Sequence, residues 1–201
     1  MSELVLRSAT EDDFDALVTA QQSAFADEAV VGWVTANSDR SNGLGGKIVG
    51  LMVREILTED ELIIAVDAGR IVGLSMWQDL DSARRPRSAA GELAALGTGD
   101  AALERVAVVH RTVAEQHPDL PHLYLASMGV IPECRGRGIG GALLRHRLAE
   151  ADVSGLPAYL EASTTRSRDL YARHGFTEHG SPIALPAGGP ELYPMWRDAG
   201  R

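Results

Sequence analysis

Residues 132–144 read Pro132-Glu133-Cys134-Arg135-Gly136-Arg137-Gly138-Ile139-Gly140-Gly141-Ala142-Leu143-Leu144. An apolar run, Leu123-Tyr124-Leu125-Ala126-Ser127-Met128-Gly129-Val130, precedes them and reads as a buried strand. A helical pattern follows, in which Ile139 with Leu143 and Leu144 with Leu148 line one side while Arg145, Arg147 and Glu150 face water. Strand, glycine-rich turn and helix together predict an anion site. Glycines remove the Cβ atoms that keep a ligand off the main chain, so the amides of Gly136, Arg137, Gly138, Ile139 and Gly140 can point inward together. The helix start adds its positive end, and Arg135 and Arg137 add mobile charge at the rim. Pyrophosphate is the best-matched guest.

Two kinds of pyrophosphate ligand compete for this loop. Gly136, Gly138 and Gly141 spell the dinucleotide fingerprint G-x-G-x-x-G, and Glu161 lies about twenty residues on, where a ribose-binding acid belongs. Context opposes that reading. Ile131-Pro132-Glu133-Cys134-Arg135 intervene before the first glycine, about 60 residues are too few for the remainder of a six-stranded dinucleotide domain, and a hairpin precedes the loop. A P-loop is excluded as well, because Gly45-Gly46-Lys47-Ile48 lacks the Ser or Thr that reaches the metal.

Around this unit the chain alternates strands and helices. Leu4–Leu6 predicts a strand, and Thr10-Glu11-Asp12-Asp13 caps a helix carrying Phe14, Leu17, Val18 and Phe25. After a loose segment over 41–46, Ile48, Leu51, Met52, Val53 and Ile56 predict a second helix. Leu62–Val66 and Ile71–Trp77 flank Asp67-Ala68-Gly69-Arg70 as an antiparallel hairpin. Residues 79–99, rich in Ala, Gly and Arg, read as a solvated loop or a lid. Asp100 caps a further helix, Pro157–Ala162 forms a strand, and Gly175 ends a short helix through Leu170 and Tyr171. Ile183–Leu185 and Leu192–Trp196 close as a strand pair.

With these pieces in order, the chain resembles the GNAT superfamily of N-acetyltransferases. Arg135-x-x-Gly138-x-Gly140 is similar to that family's R/Q-x-x-G-x-G/A loop, with Met128-Gly129-Val130 and Pro132 as its lead, and Leu170-Tyr171-Ala172-Arg173-His174-Gly175-Phe176 to its "LY-x-x-x-GF" signature. The resemblance covers essentially the whole chain, least over 26–58 and 79–99. It implies one α/β (α+β) domain over residues 1–201, a mixed, mostly antiparallel sheet flanked by helices, with a splayed strand pair admitting acyl-CoA. It further implies that Arg135, Gly136, Arg137, Gly138, Ile139 and Gly140 hold the pyrophosphate of acetyl-CoA, and that Met128 and Val130 offer main-chain contacts to the thioester end. Thr164 and Ser167 stand where many relatives have Asn and Ala, on the pantetheine side.

Acyl transfer to an amine needs a neutral nucleophile and a proton for the departing thiolate; a lysine-like amine near pKa 10.4 and a cysteine-like thiol near 8.5 define both needs. Tyr171 stands where the family sets a tyrosine against the thioester sulfur, as the proton donor. Glu161 ends a strand beside the expected cleft, as the base or as a carboxylate ordering nearby main chain. Ser127 and His122 are weaker candidates, the histidine reading as a surface residue near a strand start. Cys134 beside the phosphate loop lacks a sequence-adjacent His to mark a dyad, and no His, Cys, Asp and Glu spacing forms a metal cluster.

The composition bounds the rest. At 201 residues, with 45% apolar and 23% charged residues, the chain can bury a core of its own. A net charge of −9 opposes nucleic acid as a partner and suits cationic small molecules. No run approaches the roughly 18 apolar residues of a membrane span, and one cysteine builds no disulfide framework, so a cytoplasmic protein is expected. The expected function is acetyl transfer from acetyl-CoA to a primary amine by direct attack in a ternary complex. The acceptor, a small amine or a peptide amine, is left open, as is a homodimer. The alternative is an idle acyl-CoA-binding or sensing module.

Overall fold

The computed structural model describes residues 3–36, 44–95 and 100–200. β1 (Val5–Ser8) pairs antiparallel with β2 (Glu61–Asp67), which forms a hairpin with β3 (Arg70–Leu80). The hairpin turn takes Ala68 and Gly69 at φ 50° and 75°. Two successive left-handed residues give a turn whose twist matches the strands, which is why Ala-Gly at this point closes a hairpin. β3 pairs antiparallel with β4 (His122–Val130), β4 runs parallel to β5 (Ala158–Ala162), and β5 pairs antiparallel with β8 (Glu191–Arg197). The short β6 (Thr177–Glu178) and β7 (Ile183–Ala184) both pair with β8. The sheet is open and mixed, mostly antiparallel, in the order β1-β2-β3-β4-β5-β8-β6, as the sequence leads one to expect.

Period-two alternation along the strands feeds two cores. Ile63, Ala65, Leu123, Leu125, Ala158, Leu160 and Ala162 join Leu143, Leu144, Leu148 and Ala151 of α6 (Ile139–Ser154). Leu62, Ile64, Leu74 and Met76 meet Leu17 and Ala20 of α1 (Phe14–Ala24) and Val53 and Ile56 of α3 (Leu44–Glu59). Thr10 and Asp13 cap the approach to α1, and Asp100 accepts from the amides of Ala102 and Leu103 at 2.9 and 3.1 Å at the head of α5 (Ala101–Gln116). No helix among the described residues is long and apolar enough to cross a membrane.

Several local expectations are corrected. Residues 79–95 are not a loop: β3 extends to Leu80 and α4 spans Arg84–Ala95. Pro86 sits in the first turn of α4, where the amide it lacks has no intrahelical partner, and the alanines beyond it favour helix. Residues 96–99 lie outside the described residues, as do 41–43 of the other loose segment; α3 already begins at Leu44 and takes in Gly45 and Gly46. A seven-residue helix, α2 (Ala29–Thr35), stands where no element was expected. Arg147 does not face water: it is buried, paired with Glu61 of β2, and within 3.5 and 3.8 Å of Asp79 and Glu150.

Candidate active site

The quoted loop leaves β4 through a 3-10 turn, Pro132–Cys134, and enters α6 at Gly138. Gly136 and Gly138 have φ of 78° and 82°, a conformation that L side chains rarely adopt. Among the described residues, apart from the adjoining ones, no protein atom lies within 4 Å of where a Cβ would stand on either, so the loop faces open space. Nor, among the described residues, does a side chain cap the first turn of α6, so its leading amides lack intrahelical partners. The glycine two residues on has a different task. A Cβ on Gly140 would lie 3.3 Å from Leu170 and 3.7 and 3.9 Å from Met128 and Val130, so its bareness lets α6 start against β4 and α7 (Thr165–Arg173).

The expectation of mobile charge at the rim is corrected for Arg135. Its guanidinium forks onto both oxygens of Asp27 at 2.6 and 2.7 Å, while Nε donates to the Val130 carbonyl at 3.0 Å and Nη2 to that of Ala24 at 3.0 Å. Arg135 therefore ties the loop to the end of α1. Arg137, half-exposed, donates to Asp67 at 2.8 Å across the hairpin turn. Cys134 is buried in the core. Thr164 and Ser167 head α7 as a reciprocal capping box, their hydroxyls 2.9 Å apart and engaged with each other's amides.

β4 and β5 are in register only at Leu123 with Ala158 and Tyr124 with Tyr159. Among the described residues β4 has no ladder pairing on the β5 side beyond Tyr124, so the two strands part as β4 runs through Met128 and Val130 toward the glycine loop. Gly129 admits α1 at close range, since a Cβ there would meet Phe25 at 2.7 Å. Tyr171 is buried on α7, edge-on to Phe176 at a 6.0 Å ring separation. Gly175, at φ 89°, turns the chain back so that the Phe176 amide donates to the Tyr171 carbonyl at 3.2 Å, and this is the physical content of the "LY-x-x-x-GF" spacing. Burial pushes the Tyr171 phenol up, and the charge of Glu28 pushes it further, so it stays protonated at neutral pH. Glu28 went unrecognised in the sequence. It caps α2 through Oε2, which accepts from the Val31 amide at 3.0 Å, while Oε1 is buried without a partner.

Glu161 belongs to a buried polar cluster on the face of the sheet opposite Leu160 and Ala162. Tyr124 donates to its Oε2 at 2.8 Å, and its Oε1 lies 3.9 Å from His117 Nδ1. His117 Nε2 meets His122 Nε2 at 3.0 Å, and His122 Nδ1 meets the Leu120 carbonyl at 2.7 Å. Burial pushes Glu161 up to about 7, against the opposing hydrogen bond from Tyr124 and the nearby Tyr159 hydroxyl. Burial likewise pushes His117 down to about 3, with His122 and Arg87 adding to the effect. His122 is thus not a surface residue but fully buried. His117, Tyr124 and Tyr159 were not singled out; the tyrosines' one signal is a polar tip at the out-of-phase positions of otherwise apolar strands, and His117, just past the end of α5, had none. Among the described residues no group of three or more His, Cys, Asp or Glu is arranged to hold a metal ion.

An open glycine turn at a helix start, fed by a strand that parts from its parallel neighbour, defines the class, and the comparison with known sequences agrees. The chain belongs to the GNAT acetyltransferases: the family model of the acetyltransferase (GNAT) domain matches residues 58–178. Over 99 residues it is 32% identical to a mycothiol acetyltransferase of Nocardia farcinica (strain IFM 10152), a stretch that is 47% of this chain and 32% of that one, so the chain spans about a third of that relative's length. Among solved structures it is similar to a Corynebacterium glutamicum ATCC 13032 protein described as histone acetyltransferase HPA2 and related acetyltransferase, at TM-score 0.72 and 27% identity, covering 100% of this chain and 98% of the other. It shares the fold of the Drosophila melanogaster polyamine N-acetyltransferase that forms N-acetylagmatine, at TM-score 0.69 and 17% identity, covering 98% of this chain and 100% of that one.

Proposed function

We propose that the chain transfers an acetyl group from acetyl-CoA to a primary amine, with both substrates bound together. One observation supports the reading: where β4 runs past its last pairing with β5 it leads into a turn whose Gly136 and Gly138 are open to space and whose helix start carries no side-chain cap. The bare turn suits the pyrophosphate of acetyl-CoA, and the unpaired edge of β4 suits its extended pantetheine arm. Acetyl-CoA supplies an activated thioester. The protein's own groups supply the rest.

Glu161, poised near neutrality, takes a proton from the acceptor's ammonium and frees the nitrogen lone pair. Tyr171, held protonated by burial, returns a proton to the leaving sulfur. Main-chain groups at Met128 and Val130 line the parting of β4 from β5, where the thioester carbonyl is expected, a role that needs geometry rather than side-chain identity. Arg135 shapes the loop through Asp27, and Thr164 and Ser167 fix the head of α7 beside the pantetheine path. The net charge of −9 favours a cationic acceptor, and the fold shared with a polyamine acetyltransferase agrees with a small amine. A single cytoplasmic domain, alone or as a homodimer, completes the reading.

The test is thermal shift with acetyl-CoA, CoA and NAD at matched concentration, then thiol release with a panel of amines. A ligand at one hundred times its Kd adds about 2.7 kcal/mol of stability. Stabilisation by acetyl-CoA and CoA but not NAD, followed by amine-dependent thiol release, is the expected result. A shift with NAD alone overturns the reading, and CoA binding without release for any amine leaves an acyl-CoA sensor.

A further inference from the structure

The hydrogen bonds around Glu161 fix where the protons of two buried imidazoles lie. The Leu120 carbonyl only accepts, so His122 Nδ1 carries the proton in their 2.7 Å contact. With both rings held neutral by burial, His122 Nε2 is then bare and accepts from His117 Nε2 at 3.0 Å. The remaining nitrogen, His117 Nδ1, is therefore a bare acceptor. It faces Glu161 Oε1 at 3.9 Å, the two side chains are 0% and 6% exposed, and neither atom has a hydrogen-bond partner. Two buried lone pairs opposed to each other, neither with a hydrogen bond of its own, form an unfavourable arrangement. One proton on Glu161 Oε1 turns it into a donor and an acceptor that an approach of about 1 Å closes into a hydrogen bond.

We infer that His117 is a positioning partner of Glu161: held in one tautomer by His122, its bare Nδ1 receives the hydrogen bond that Glu161 Oε1 makes once it is protonated. The inference rests on the acyltransfer reading for the source of that proton. There the ammonium N–H breaks, the Oε1–H forms, and the electron pair stays on the amine nitrogen for attack. His117 stabilises the acid form of Glu161 and so strengthens it as a base, while Tyr124 on Oε2 serves the ionised form. The groups facing the pair are Tyr124 and His122 of β4, Tyr159 of β5 and Arg87 of α4, with His179 beyond the Tyr159 ring at 6.1 Å. The buried Tyr159 hydroxyl is a further proton-bearing group within reach of the Glu161 carboxylate, and it favours the ionised form as Tyr124 does.

The experiment reads tautomers and titration in the free protein, by long-range 15N spectra of the histidines and 13C spectra of the glutamate carboxyls, with Glu161 assigned from Glu161→Gln. Expected are a bare Nδ1 on His117, a bare Nε2 on His122, and a Glu161 titration near 7. His122→Asn keeps a donor for the Leu120 carbonyl but removes the acceptor for His117. His117 is then free to move its proton to Nδ1 and donate to the carboxylate, lowering the Glu161 titration by about one pH unit or more. His122→Gln restores an acceptor and the wild-type titration, and His117→Phe lowers it as His122→Asn does. A proton on Nδ1 of His117 in the wild type, or an unmoved Glu161 titration in folded His122→Asn or His117→Phe, overturns the inference. Where His122→Asn fails to fold, the wild-type tautomers still decide. Amine-dependent thiol release is measured separately: its absence in a protein with the expected resonances overturns the amine as proton source and supports the pairing itself.

Discussion

The two ends of the proposed cleft are built in opposite ways. At its mouth the glycine turn, proposed to bind through main chain, spans five consecutive residues, Gly136–Gly140. On the other face of β5, Glu161 is set by side chains from well-separated places: His117 after α5, His122 and Tyr124 on β4, Tyr159 on β5. A backbone site tolerates any side chain that leaves the turn open, but a side-chain site depends on each partner's proton. The first end should thus fail through conformation and the second through titration.

The largest expected effect is at the mouth. Gly138→Asp puts an L side chain at φ 82° and a negative charge where phosphate is proposed to sit. Calorimetry should find CoA affinity reduced more than 100-fold, on the order of 3 kcal/mol, with the fold intact by circular dichroism. Retained affinity moves the site elsewhere and dissolves the comparison.

Next in size is the other end. Glu161→Gln keeps the shape and an acceptor for Tyr124 but removes the proposed base. Turnover should fall about 10²–10⁴-fold while CoA affinity holds, and the rise of kcat/KM with pH near 7 should vanish. Equal loss of binding and turnover makes Glu161 a structural carboxylate.

Tyr171→Phe tests the donor between the two ends. Turnover should drop about 10–100-fold with CoA affinity unchanged, the loss shrinking for acyl donors with a better leaving group. Loss of affinity in parallel assigns the tyrosine to packing against Phe176.

The same contrast explains what could be read from the sequence. Glycine positions are local, so Gly136, Gly138 and Gly175 disclosed their turns at fixed spacing. Tyr171 was legible because a helix end ties it to Gly175 and Phe176 within five residues. Glu161 was legible only as a carboxylate at a strand end. Its partners His117 and His122 lie some forty residues earlier and meet it through sheet topology, which no local pattern reports. Arg135 is the opposite case: it was expected to carry mobile charge, but Asp27, 108 residues away, takes that charge. Arg147 likewise turned inward because Glu61 and Asp79 on β2 and β3 meet that face of α6.

The smallest effect is on stability, and it separates the two partners of the buried pair. Glu161 titrates at about 7 in the folded protein against about 4.3 unfolded. Its contribution is therefore present below about pH 4.3 and lost as pH rises through 7. His117 titrates at about 3 folded against about 6.5 unfolded, so its contribution is present above 6.5 and lost as pH falls toward 3. Between about 4.3 and 6.5 the folded state holds one proton more on Glu161 and one fewer on His117, and the two slopes cancel. Glu161→Gln removes one side of that balance. Urea unfolding from pH 7.5 to 4.5 should show the variant losing stability relative to wild type by on the order of 3 kcal/mol as pH falls. A gap that stays constant over that range means Glu161 ionises as an ordinary carboxylate, and the chemical contrast between the two ends of the proposed cleft disappears with it.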